Sequence, residues 1–153
     1  MKALLGLLFA MLAGTAQAQS VGECDWRASA RNLVEPWEQN SRTFANGAVR
    51  VALLDTVEPA AGAFHLLVIS PPVNEMGDPQ CRVISYSDSI GFSGLTFGGL
   101  QAQYDPAIGL GFAIPGTEYV PEDDTTGYRP IYLLLTLNQQ TGDIQTTIER
   151  VGG

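Results

Sequence analysis

The spacing of hydrophobic positions changes twice along the chain. Residues 3–13 form an apolar run broken only by Gly6. Beyond it, Trp26, Ala30, Leu33, Trp37 and Phe44 recur at helical spacing and form one apolar stripe. Arg27, Arg31, Glu35, Glu38 and Arg42 fall on the opposite side, where Arg31 with Glu35 and Glu38 with Arg42 are placed to pair. Over residues 25–43 this pattern predicts a helix. Asp25 is positioned to cap it, Pro36 to kink it or open a second helix, and Asn46-Gly47 to end it.

After Gly47 everything reads as strands and turns. Runs at 48–57, 63–70, 81–88, 90–97, 100–104, 107–114, 131–137 and 144–151 read as strands. Turn residues separate them: Pro59 to Gly62, Pro71-Pro72, Gly98-Gly99 and Asp105-Pro106. Residues 115–129 read as an acidic loop. The run 107–114 alternates without a fault, with Ile108, Leu110, Phe112 and Ile114 on one face and Ala107, Gly109, Gly111 and Ala113 on the other. The large face is core, and the small face leaves room for a second layer or a ligand to approach the backbone. No helical pattern interrupts the strands, which argues against parallel βαβ units. The expected fold class is therefore α+β, mainly β. An N-terminal helix, kinked near Pro36, packs through Trp26, Leu33 and Trp37 on an antiparallel meander of about seven or eight strands, forming an open curved sheet or a barrel-like one.

The first apolar run has another meaning. Lys2 precedes it and Ala16-Gln17-Ala18 follows, the layout of a signal peptide cleaved between Ala18 and Gln19. It is too short for a membrane span, which takes roughly twenty residues. The expected organisation is a leader over 1–18 and a single domain over 19–153, periplasmic or secreted. Glu23 before Cys24 is not the small residue that lipid attachment needs. Cys24 and Cys81 are the only cysteines, and in an oxidising compartment an even count predicts a disulfide, worth roughly 4 kcal/mol on the chain-entropy view.

Of the 153 residues, 45% are hydrophobic and 16% charged, a balance suited to a packed core and not to a disordered chain. The formal charge is -8, and loss of Lys2, the only lysine, leaves seven arginines against sixteen acids. That balance argues against a nucleic-acid partner, and a lysine-free chain has no Schiff-base chemistry.

Candidate chemistry is sparse. His65 is the only histidine, so metal sites built from several histidines are excluded; it reads as an ordinary strand residue. Gly91-Phe92-Ser93-Gly94 is one residue short of a nucleophile elbow and no helix follows it. Gly109-Leu110-Gly111 lacks the third glycine of a dinucleotide fingerprint. Glu122-Asp123-Asp124 clusters acids without the spacing of a calcium loop. Paired carboxylates for glycoside hydrolysis follow no spacing rule, and with both tryptophans on the apolar stripe few aromatics remain for a sugar platform. The pattern resembles many small exported bacterial proteins in architecture alone, which carries no residue role across. The expected function is a non-enzymatic binding or interaction module without cofactor or metal, its partner a small apolar ligand or a periplasmic protein. The alternative is a small periplasmic hydrolase using carboxylates with His65.

Overall fold

A computed structural model describes residues 19–122 and 126–152. The leader with Ala18, and Asp123 and Asp124 of the acidic loop, lie outside the described residues; Gln19 is the first described and is buried.

The mainly β character holds, but the strands form two antiparallel five-stranded sheets and no closed barrel. In the first sheet the order is β1 (Ser20–Glu23), β5 (Pro79–Ser85), β4 (Phe64–Val73), β3 (Val49–Asp55) and β2 (Ser41–Phe44). The second runs β10 (Ile144–Arg150), β9 (Tyr128–Leu137), β8 (Gly109–Tyr119), with β6 (Gly94–Leu95) and β7 (Gln101–Asp105) sharing the remaining edge of β8. Period-two alternation explains why two layers form. Val51, Leu53, Leu66 and Val68 of the first sheet and Phe112, Ile114, Leu133 and Leu135 of the second belong to one buried cluster. Each such side chain removed from water contributes roughly 1.5–3 kcal/mol. Phe44 meets Phe112 edge to face across the layers, with ring centroids 5.0 Å apart. The chain passes from one sheet to the other after β5, where Phe92 bridges Phe64 before β6 begins.

The N-terminal helix expected over 25–43 does not form. Two 3-10 turns, Trp26–Ala28 and Ala30–Asn32, are followed by one short helix, α1 (Trp37–Asn40), and Ser41–Phe44 is strand β2. The backbone is extended at Ser29 and again at Leu33, and Leu33 bridges Leu54 while the Val34 amide donates to the Leu53 carbonyl at 3.1 Å. Sheet bonding thus takes the place of helical bonding, and Pro36, in extended conformation, stops any helix from running through. Asp25 does cap, but it caps the first 3-10 turn, accepting from the Arg27 amide at 3.0 Å. Trp26 and Trp37, expected against the sheet, are 56% and 57% exposed. Ala28 and Leu33 do the covering, packing with Cys24 and Cys81 over Leu54, Leu67 and Val83 on the outer face of the first sheet. The Cys24–Cys81 disulfide is present, with Cα atoms 5.4 Å apart, and fastens this segment to β5.

Other boundaries moved for identifiable reasons. β4 runs through Pro71-Pro72 because the register shifts between Ser70 and Val73, where no ladder donor is required of the prolines. Residues 115–119, expected as loop, extend β8. Pro115 is tolerated there because it faces the gap between β6 and β7, where its carbonyl accepts from the Thr96 amide at 2.7 Å. Of 90–97, only Gly94–Leu95 pairs as strand.

Candidate binding trough on the second sheet

The two outer faces of the sandwich differ. Residues 24–33 cover that of the first sheet, whereas that of the second lies open as a trough of about 600 Å³. Strand register assigns its surface. Gln103, Gly111, Thr136 and Gln145 form one row across β7, β8, β9 and β10, and Gln101, Ala113, Leu134 and Thr147 form the next. β8 supplies a floor of small residues, Gly111 and Ala113, β9 adds Leu134 and the Thr136 hydroxyl, and the outer strands raise Gln101, Gln103, Gln145 and Thr147 on both sides. Gln145 Nε2 donates to Asp143 at 3.1 Å, while the side chains of Gln101, Gln103, Thr136 and Thr147 have no hydrogen-bond partner among the described residues. Asp105 is the one charged group on the lining, which contains no cation.

Of the small face expected at Ala107, Gly109, Gly111 and Ala113, the last three line this trough and Ala107 does not. Their reasons differ. Gly109 has φ +117, and a Cβ there would fall 2.2 Å from the Leu137 carbonyl oxygen, so the backbone itself demands glycine. Gly111 is in no such position: a Cβ would stand 3.5 Å from the Gln103 oxygen, an ordinary contact. Nothing in the fold requires that position to be empty.

Along β9 the same outward face carries Tyr132, 40% exposed, and then Tyr128, whose ring lies 5.6 Å from that of Tyr119 on β8. The sequence offers few aromatics for a platform when both tryptophans are assigned to the apolar stripe, and the structure supplies tyrosines instead. Counting back by twos from Leu134 along β9 puts Tyr132 and Tyr128 on the trough side; Tyr132 falls within the strand expected over 131–137, and Tyr128 joins because β9 starts three residues earlier.

His65 lies on the covered side of the first sheet, 1% exposed, with Nδ1 2.8 Å from Ser85 Oγ. Arg27 Nη1 donates to the same oxygen at 2.8 Å, and Asp25 holds the guanidinium through contacts of 2.9 to 3.1 Å. Burial, reinforced by the Arg27 charge, lowers the His65 pKa to about 4. The Ser85 hydroxyl is fully enclosed. The imidazole and the hydroxyl are thus brought together, in a place closed to solvent.

A second buried charge was invisible in the sequence. Glu118 points between the layers at one end of the sandwich, accepting from Tyr86 Oη at 2.9 Å and from Arg150 Nε and Nη2 at 2.7 and 3.0 Å. Burial alone would raise its pKa, but the bonds from Arg150 and Tyr86 and the charges of Arg150 and Arg129 prevail and hold it below the ordinary carboxylate value. Tyr86 and Glu118 border a cleft of about 220 Å³ with Ser93, whose hydroxyl donates to the Ala61 carbonyl at 2.7 Å. Ser93 of the short elbow-like motif is therefore bonded to main chain and has no imidazole beside it. Among the described residues no group of three or more His, Cys, Asp or Glu could hold a metal ion, and no helix is long and apolar enough to cross a membrane.

Comparison of the chain with protein-family models, with curated proteins and with solved structures finds no match.

Proposed function

We propose that the chain is an exported, non-catalytic binding module whose ligand lies in the trough across the second sheet. Gly111 carries this reading. A glycine inside a strand costs roughly 0.5–1 kcal/mol relative to alanine, and the backbone here does not need it, yet its missing side chain keeps the floor of a 600 Å³ space open. Sites for small ligands typically measure roughly 300–1,000 Å³. The amide and hydroxyl walls favour a polar occupant over the small apolar ligand expected from the sequence, because an apolar one would strip water from those groups without replacing its bonds. Export is supported by the leader pattern at 1–18 and by the Cys24–Cys81 bridge, a bond that persists in oxidising compartments.

The test is native mass spectrometry of the protein recovered from its own host, compared with the same sample denatured. The expected denatured mass is that of residues 19–153 less two hydrogen atoms for the bridge. The expected native mass is higher by a discrete adduct, which Gly111→Val abolishes while leaving the melting temperature equal or raised. An adduct that survives Gly111→Val in a folded protein would sink the trough as the binding surface, and so would equal native and denatured masses.

A further inference from the structure

We infer that the occupant of the trough is a neutral carbohydrate chain lying along β8 and β9, an inference that rests on the trough being the binding surface. Charge comes first. No arginine or lysine lines the trough and Asp105 stands at its rim, so an anionic ligand would meet only repulsion in a chain with seven arginines against sixteen acids. Main-chain recognition is closed as well. The N–H and C=O groups of β8 and β9 are committed to the ladders with each other and with their outer neighbours. A peptide strand adding by backbone pairing needs a free sheet edge, which a sheet interior does not offer. What remains is side-chain chemistry. The amides of Gln101, Gln103 and Gln145 each carry a donor end and an acceptor end, and the hydroxyls of Thr136 and Thr147 can do either. Sugar hydroxyls have the same dual character, so every such group finds a partner without a charge being buried.

The apolar parts fit equally well. The C–H faces of a pyranose would rest on the Gly111, Ala113 and Leu134 floor, then on the Tyr132 ring further along β9. From β7 to β10 the trough crosses three inter-strand spacings, about 14 Å, which is wide enough for one sugar chain and its flanking hydroxyl contacts. The eleven residues of β8 give about 35 Å of track, room for a chain and not merely a monosaccharide.

Affinity electrophoresis of the exported protein tests this, in gels containing a soluble neutral β-glucan, xylan or mannan, with polygalacturonate and poly-L-proline as comparison polymers. At least one neutral glycan is expected to retard the protein, polygalacturonate and poly-L-proline are not, and Gly111→Val is expected to abolish the retardation. Tyr132→Ala and Gln103→Ala should each weaken it about tenfold, with unfolding curves recorded to establish that the variants are folded. Retardation by polygalacturonate or poly-L-proline alone would overturn the inference in favour of an anionic or peptide ligand. Retardation by none, alongside a native adduct still lost in Gly111→Val, would overturn the carbohydrate assignment and leave the trough standing. Glycan retardation unchanged in Gly111→Val would move the binding elsewhere and remove both.

Discussion

At the scale of single residues, burial separates two kinds of titration. Ser85 Oγ accepts from Arg27 and lies 2.8 Å from His65 Nδ1, so the buried imidazole and the guanidinium share one hydroxyl. Protonating His65 would set a second cation against the Arg27 guanidinium inside the fold. The folded pKa of about 4 lies below the ordinary 6.5, so the unfolded chain takes up the proton first as pH falls. The contribution of His65 is thus complete above pH 6.5, and it is lost as the pH falls from there to about 4, on the order of 3 kcal/mol in all. Asp25 and Glu118 act in the same direction, losing their contributions as pH falls, but in a lower window. The hydrogen bond from Arg27 lowers the Asp25 pKa, and Glu118 is lowered against its burial by Arg150 and Tyr86. Their contributions are present above the ordinary carboxylate values of 3.8 and 4.5 and are lost below them. Urea unfolding at pH 7, 5.5, 4 and 2.5 reads the two windows apart, the first three values spanning that of His65 and the last that of the carboxylates. His65→Gln is expected to remove most of the decline between pH 6.5 and 4; an undiminished decline would mean that other groups carry it.

Among elements, the N-terminal segment departs furthest from what its residues suggest. Its apolar stripe from Trp26 to Trp37 has helical spacing, yet the segment buries Ala28 and Leu33 and leaves both tryptophans out. Short-range periodicity could not register the competing partners, the Leu53 carbonyl and the Cys81 carbonyl, because both lie far off in sequence. Where a strand is decided by its own residues, by an apolar run between turns as in β3 or by alternation as in β8 up to Ile114 and β10, the elements are legible. Where prolines or a shared edge interrupt pairing, as at Pro71, Pro115 and residues 90–97, they are not. The candidate site follows the same division. The small face at Gly109, Gly111 and Ala113 could be read directly, while the glutamines of β7 and the tyrosines of β9 joined it only once register was fixed. The bridge is the element-level constraint with the clearest consequence. It fastens the 24–33 cover to β5 across a separation of 57 residues. Reduction is expected to cost roughly 2–4 kcal/mol in unfolding free energy and to open the cover, so that hydrogen exchange quickens most at residues 24–34 and least in β8 and β9. Uniform quickening throughout the sandwich would show that the bridge acts on the unfolded chain alone.

For the molecule as a whole, the question is whether two sheets make one folding unit. Few backbone bonds join them, chiefly the Phe64–Phe92 bridge, so the coupling must come from side chains. Leu133 on β9 and Val68 on β4 belong to different sheets, both are fully buried, and both lie in one cluster. Leu133→Ala would leave a cavity costing about 2–5 kcal/mol. If the shared core makes unfolding all-or-none, that loss appears equally in slow amide exchange on both layers. The expected result is that protection at Val68 and at Leu135 falls by the same factor. A fall confined to the second sheet would mean that the layers open separately, with the trough-bearing sheet free to yield while the bridged sheet stays closed. Equal loss instead makes the trough as rigid as the core beneath it. A rigid trough is what a binding surface preorganised for one ligand shape requires, since ordering on contact would otherwise be subtracted from affinity.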